Sequence, residues 1–284
     1  MNWKGSRLPM RVLLAAVALL ASATAARCDA PKRILSINLC ADQLLVALAD
    51  PAQIAGLSRF ATDPLLSATA EKAQSFPRTD QRSEAAIALQ PDLVLAGSSD
   101  RSAMRRALAR LGLRVHEVPI VTDIAGARAQ VRELAALLGH SARGEALVAE
   151  IDAARARLSA VARTKDATAL LVERKGYVTG PDSLAAALLR TAGFVPPEGA
   201  PHGLGGFIPL ERLLMLRPDV LVLHDMIVRA EDQGTLFLAH PALAEMYPPE
   251  RRLILPRRFA LCGGPALVAA LDYLTQALSA TTPR

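Results

Sequence analysis

Cys40 and Cys262 are the residues of this chain with the widest choice of chemistry. Each stands where a strand-like run gives way to a helix-like one. A structural disulfide is one reading, natural in an oxidising compartment. Two half-buried thiols with packing roles only are a second. The third is a thiolate pair, with His202 or His224, that ligates a soft metal or the metal centre of a bound complex, since helix N-termini lower thiol pKa. Neither Cys-x-x-Cys nor His-x-x-x-His spacing supports a preformed zinc site. Cys28 makes the set odd, so one cysteine must lack an internal partner.

Among the histidines, His202 is the better ligand candidate, because it stands in the glycine-rich run Pro201-His202-Gly203-Leu204-Gly205-Gly206-Phe207. His240 opens a His-Pro-Ala-Leu helix start, His116 falls inside a strand pattern and His140 at a helix end. Gly203, Gly205 and Gly206 would let backbone approach a bulky ligand, though they lack the spacing of a dinucleotide fingerprint. Hydrolase elbow, phosphate loop and metal-binding helix motifs are absent, so the chain reads as a binder and not an enzyme.

The elements that must position these residues repeat. Glu84-Ala-Ala-Ile-Ala-Leu-Gln-Pro91-Asp92-Leu-Val-Leu returns as Glu211-Arg-Leu-Leu-Met-Leu-Arg-Pro218-Asp219-Val-Leu-Val-Leu. Each copy reads as a short amphipathic helix, a proline stop and an apolar strand of the kind buried on both faces. Strand patterns at 33–37, 54–57 and 114–118 and helix patterns at 40–49 and 101–111 surround the first copy. Around the second lie strands at 169–172 and 253–255, a short apolar stretch at 193–195, and helices at 183–191 and 265–278. Such alternation predicts an α/β fold of two Rossmann-like lobes with mainly parallel sheets.

Between the copies run two helical patterns, 124–138 and 142–163, the second carrying Leu147, Ile151, Ala154 and Leu158 at three- and four-residue steps. One long α-helix therefore joins the lobes and permits only a small rocking. The expected organisation is a signal peptide at 1–26, an N-terminal lobe at 30–123, a helical segment at 124–164 and a C-terminal lobe at 165–284.

Lys4, Arg7 and Arg11 precede an apolar run of about ten residues and then small residues, the layout of a cleavable secretory signal, and too short for the roughly 20 residues of a membrane span. That predicts a periplasmic protein. Removal of residues 1–26 lowers the net charge from +6 to +3, too mild a bias to indicate nucleic acid.

In the order and spacing of 33–45 (Arg-Ile-Leu-Ser-Ile-Asn-Leu-Cys-Ala-Asp-Gln-Leu-Leu), Ser83-Glu84 through Pro91-Asp92, Pro209-Leu-Glu211 through Pro218-Asp219, and His240-Pro-Ala-Leu, the chain resembles the periplasmic substrate-binding proteins of ABC importers whose lobes are joined by one long helix. That class serves ferric siderophores, haem and cobalamin. The resemblance implies a monomer that captures a small-molecule metal complex between its lobes, carries no intrinsic cofactor, and delivers its cargo to a membrane permease dimer. It also implies that Glu84 and Glu211 dock that permease. As the same residue of a repeated unit, they suit a two-fold symmetric partner. An exported metal-binding or redox protein using Cys40 and Cys262 is the alternative.

Ligands of open α/β sheets bind beyond the carboxyl ends of the strands. That rule nominates Asn38, Cys40, Arg59, Phe60, Ser98 and Ser99 from the first lobe. From the second it nominates Arg174, Tyr177, His202, Gly203, His224, Asp225, Arg258, Phe259 and Cys262. The arginines suit an anionic ferric chelate through bidentate contacts. Aromatic content of 4%, with the single Trp in the leader, tilts the expectation towards a smaller or more polar chelate.

Overall fold

The central strands carry continuous apolar runs because both faces of each sheet are covered. In the computed structural model, which describes residues 30–79, 83–98, 100, 102–163, 167–225 and 233–281, five parallel strands form the first sheet. They are β1 (Ile34–Ser36), β2 (Ile54–Ser58), β3 (Arg78–Thr79), β4 (Leu93–Gly97) and β5 (Val115–Val118), in the order β3-β2-β1-β4-β5. Helices α1 (Leu39–Leu48), α2 (Ala70–Ala73), α3 (Ser83–Ala88) and α4 (Ser102–Arg110) alternate with them.

Next come α5 (Ile124–Leu138) and α6 (Ser141–Val161). The second half holds β6 (Ala167–Leu171), β7 (Tyr177–Thr179), α7 (Leu184–Thr191), β8 (Phe194–Val195), β9 (Gly205–Phe207), α8 (Leu210–Leu216) and β10 (Val220–Leu223). It ends with α9 (Gln233–Leu236), α10 (Pro241–Met246), β11 (Arg252–Ile254), α11 (Arg257–Ala260) and α12 (Pro265–Thr281). The second sheet, β8-β6-β10-β11, is again parallel, and β7 pairs with β9 antiparallel as a separate ribbon. Its four strands follow the same succession as β2-β1-β4-β5, so the sequence repeat is a repeat of topology.

The repeated unit has the same backbone twice. Gln90 and Arg217, each directly before proline, take φ of 45° and 44°, a left-handed stop to the preceding helix. The following aspartates then clamp the first strand of their own sheet. Asp92 accepts the Lys32 and Arg33 amides at 2.7 and 3.1 Å, and Asp219 accepts the Thr168 amide at 2.8 Å and its hydroxyl at 2.7 Å. These bonds, that of the amide first, hold the Asp219 carboxyl below the usual aspartate range.

Period-two burial divides the core. Ile34, Leu93, Leu95, Ala169, Leu171, Val220 and Val222 point to one side, where a single cluster continues through Leu134, Leu147, Ile151, Leu158, Leu267 and Leu271 of α5, α6 and α12. Leu35, Val94 and Ala96 on the outer face of the first sheet pack beneath Ala86 and Leu108, and Leu170, Val172 and Leu221 on the second pack beneath Leu213 and Leu243. Helix α6, 21 residues and about 32 Å long, is thus buried along a stripe by both neighbours. Gly144 sits where α5 crosses, and a Cβ there would lie 2.5 Å from that of Ala135. Residues 31–284 accordingly make one compact unit.

The expected leader at 1–26 and Cys28 lie outside the described residues. Strand β3, the ribbon, α9 and α11 were not expected, whereas α10 follows the helix start read at His240. The glycine-rich run, read as a loop, contributes β9, because Gly180 and Gly205 allow the two ribbon strands to touch: a Cβ on Gly205 would lie 2.2 Å from the Val178 carbonyl oxygen, at a φ of 123°.

Candidate functional site at the carboxyl ends of the strands

Asn38 ends β1 and caps α1, its Oδ1 accepting the Cys40 and Ala41 amides at 2.9 and 3.2 Å. Its Nδ2 donates to Asp100 at 3.2 Å, and Asp100 accepts the Gly97 amide at 2.6 Å. Arg105 closes this corner by donating to the carbonyls of Gly97, Ser98 and Asp100. Ser98 receives the Ile120 amide on its hydroxyl and so ties the ends of β4 and β5. Ser99 lies outside the described residues. Beyond β2, the Arg59 guanidinium covers the Phe60 ring at 4.7 Å.

The second lobe brings the ribbon to the same level. Tyr177 meets Phe207 edge-on with ring centroids 5.2 Å apart, and its hydroxyl donates to the Leu204 carbonyl at 3.0 Å. Leu204 and Phe207 are 63% and 70% exposed, and His202 beside them is exposed. At Gly203, with φ of 61°, a Cβ would meet nothing within 4 Å, so this glycine serves the turn. Arg174 is exposed in the turn before β7, and Asp225 accepts the Arg257 amide at the start of α11.

Two connections join these edges. Cys40 and Cys262 form a disulfide, with Cα atoms 5.2 Å apart. Arg258, stacked over Phe259 at 4.8 Å, donates to the Pro64 carbonyl at 3.3 Å. The bridge arises because α12 lies along α6 and also touches α1, which seats the Cys262-Gly263-Gly264 joint on the first lobe. There a Cβ on Gly264 would fall 2.6 Å from Leu44 Cδ2, and one on Gly263 would fall 3.1 Å from Ala127 Cβ. A cross-link at this seam is therefore compatible with two lobes.

The disulfide corrects two expectations. The sulfur atoms of Cys40 and Cys262 are bonded to each other, so the thiolate-pair reading fails, and the set Cys40, Cys262, His202 loses two of its three donors as a metal site. Among the described residues no group of three or more His, Cys, Asp or Glu side chains is placed to hold a metal ion. His224 is only 7% exposed, and its Nδ1–H donates to the Leu255 carbonyl at 2.7 Å, joining β10 to β11. Phe259 is half-buried against Tyr273 of α12, with centroids 6.0 Å apart.

Other residues of the edge escaped sequence reasoning. Leu65, Ile120 and Leu261 are exposed apolar side chains beyond strand ends, with Ile120 at 66%, whereas Leu204 and Phe207 stand in the glycine-rich run that the sequence nominated. Counting aromatics undervalued this surface because aliphatic residues supply most of it. Buried Asp42, Ser36 and Ser58 lie under the same edge; a carboxylate in the first turn of a predicted helix was the available signal. A recess of about 460 Å³ lies elsewhere, between α5, α6 and α7, lined by Asp123, Arg155, Ser159 and Arg190.

Known proteins share this arrangement. The chain is 31% identical over 178 residues to a cobalamin-binding protein of Halobacterium salinarum, across 61% of this chain and 48% of that one, so it spans about half the length of the curated relatives it matches. Its fold is that of a periplasmic haem-binding protein from Pseudomonas aeruginosa, with a TM-score of 0.71, 21% identity, and 89% and 94% of the two chains covered. An ABC-type Fe3+-hydroxamate transport protein from Saccharomonospora viridis superimposes with a TM-score of 0.68 at 22% identity, covering 87% and 93%. Residues 34–247 match the sequence profile described as periplasmic binding protein. The chain belongs to the periplasmic binding protein family.

Proposed function

We propose that this protein captures a metal chelate with broad apolar faces, of the haem or cobalamin kind ahead of a compact ferric siderophore, and delivers it to the permease dimer of an ABC importer. The observation that carries the reading is the set of exposed apolar side chains at this edge, Leu65 and Ile120 in loops of one lobe and Leu204 and Phe207 at the ribbon of the other. Apolar patches at such a place mark ligand surfaces. Arg59, Arg174 and Arg258 flank them and suit the carboxylates or amides at the rim of such a ligand. A cobalamin-binding relative and a haem-binding neighbour support the choice of class.

In this proposal the lobes occupy 30–123 and 165–284, with 124–164 as the stiff connection, in a monomer held in the periplasm after export. Binding is capture without chemistry. Helices α3 and α8 occupy equivalent places in the two halves, so Glu84 and Glu211 serve as a two-fold pair for the permease. Glu211 is exposed in the first turn of α8, with Met215 72% exposed one turn on, whereas the Glu84 side chain lies outside the described residues.

A thermal-shift series with haemin, aquocobalamin, a ferric hydroxamate, ferric citrate and bare divalent metals tests the ligand. At a hundredfold excess over Kd, the true class adds about 2.7 kcal/mol. A shift with a bare metal and with none of the chelates overturns the reading. Glu211→Ala is expected to leave binding intact and stop uptake; unchanged uptake removes the docking role.

A further inference from the structure

Asp42 is a buried carboxyl that the capture mechanism does not yet use. It stands in the first turn of α1, fully inaccessible to solvent, under the carboxyl ends of β1 and β2. Its Oδ1 accepts the Ser58 amide at 3.0 Å and its Oδ2 accepts the Ser58 hydroxyl at 2.5 Å. Ser58 in turn controls the loop beyond β2: its Oγ accepts the Phe60 amide at 3.2 Å and its carbonyl the Ala61 amide at 3.1 Å. A chain of hydrogen bonds thus leads from Asp42 to the residue whose ring lies under Arg59.

We propose that Asp42 is the positioning residue of the first-lobe wall: its ionised carboxylate fixes Ser58 and thereby the Arg59–Phe60 turn, and its protonation releases that turn and weakens ligand capture. The inference about capture rests on the reading of this edge as the ligand wall.

The groups around the carboxyl give the reason. From β1 the Ser36 hydroxyl bonds to it, from β2 the Ser58 amide and hydroxyl, and from the loop after β4 Asp100 acts on it with like charge. Burial is the largest influence and pushes the Asp42 carboxyl up to about 6, against the serine bonds that favour the anion. An asparagine would accept the Ser58 amide without bringing a charge into the interior. An aspartate here instead changes its bonding in mildly acidic conditions. Once protonated on Oδ2, its own O–H must donate, and the oxygen bonded there is Ser58 Oγ, at 2.5 Å. The Ser58 hydroxyl hydrogen then loses its acceptor on Oδ2 in a fully buried position, a state the turn relieves by moving.

Amide hydrogen exchange of the full chain, corrected for intrinsic exchange and followed from pH 7.5 to 5.0, reads the turn without any ligand. Wild type is expected to lose protection about tenfold at Phe60, the fraction of ionised carboxyl remaining one unit below its midpoint. Asp42→Asn is expected to show a flat profile at the low level, and Ser58→Ala low Phe60 protection at both pH values. Constant wild-type protection, or the same pH dependence in Asp42→Asn, overturns the proposal. If Asp42→Asn does not fold, the Ser58→Ala comparison decides.

Binding of aquocobalamin and haemin at both pH values completes the test. About tenfold weaker binding at pH 5.0 in wild type, absent in Asp42→Asn, supports the role. A turn that loosens while affinity stays constant overturns it. If neither probe binds at either pH, the ligand class under the proposed function fails, and the exchange result still decides whether Asp42 holds the turn.

Discussion

The two halves of this molecule share one frame and finish it differently. In both, four parallel strands follow the same succession, a left-handed residue before proline ends a short helix, and an aspartate clamps the first strand. At the carboxyl ends the likeness stops. The first lobe builds its edge from side-chain hydrogen bonds: Asn38 to Asp100, Arg105 to three carbonyls, and Asp42 to Ser58. The second extends a glycine-dependent ribbon that presents Leu204 and Phe207. The repeat keeps what carries the sheets and differs at the edge beyond the strands, as expected where a scaffold is separable from its site.

Severing the seam between the halves has the largest expected effect. The disulfide closes a loop across a sequence separation of 222, which loop-closure entropy values at about 5 kcal/mol. Cys40→Ser with Cys262→Ser is expected to lower the urea midpoint by an amount worth about 3–5 kcal/mol. The common core on α5, α6 and α12 keeps the fold, so the circular dichroism spectrum should be retained; its loss would show that the bridge, and not the core, unites the lobes.

Next come the two tight glycines. Alanine at Gly180 would put its Cβ 2.3 Å from the Gly203 carbonyl oxygen and 2.4 Å from the Gly205 nitrogen, both backbone atoms that cannot swing aside. A cost of about 3 kcal/mol is expected. At Gly97 the obstacle is the Asn38 amide, 2.2 Å away, a side chain that can rotate at the expense of its helix cap. About 1 kcal/mol is expected there. Equal losses in denaturation would erase the distinction between a backbone-built edge and a side-chain-built one.

Asp42 sharpens the contrast through pH. Its pKa in the fold, about 6, lies above the ordinary value of 3.8, so its favourable contribution is complete below 3.8 and is lost as pH rises through 6. Relative to wild type, Asp42→Asn should gain about 2 kcal/mol of stability between pH 4 and 7.5. A constant difference across that range would mean the carboxyl is not charged and buried together. Asp219 has the opposite sign: its lowered pKa contributes stability above the ordinary aspartate range that disappears on acidification.

The smallest effect tests the shared frame. Asp92→Ala and Asp219→Ala each remove a clamp on the first strand and should cost about 1 kcal/mol apiece. Their urea midpoints should shift alike. A large inequality would deny that the repeated Pro-Asp does the same work in both halves.

The sequence alone determined the two parallel α/β halves, because burial on both faces writes apolar strands and amphipathic helices into local order. The structure places 124–138 as expected and 142–163 as Ser141–Val161. Strand β3 and the ribbon escaped notice because two- and three-residue strands carry too little periodicity, and because glycine serves turns and close pairing equally well. Only the tertiary structure decided the chemistry at the edge. Whether Cys40 meets Cys262 depends on where α12 lies along α6, and His224 turns to Leu255 only because β11 lies beside β10. Contacts between residues 31 and 222 positions apart are set by packing, which local spacing does not encode.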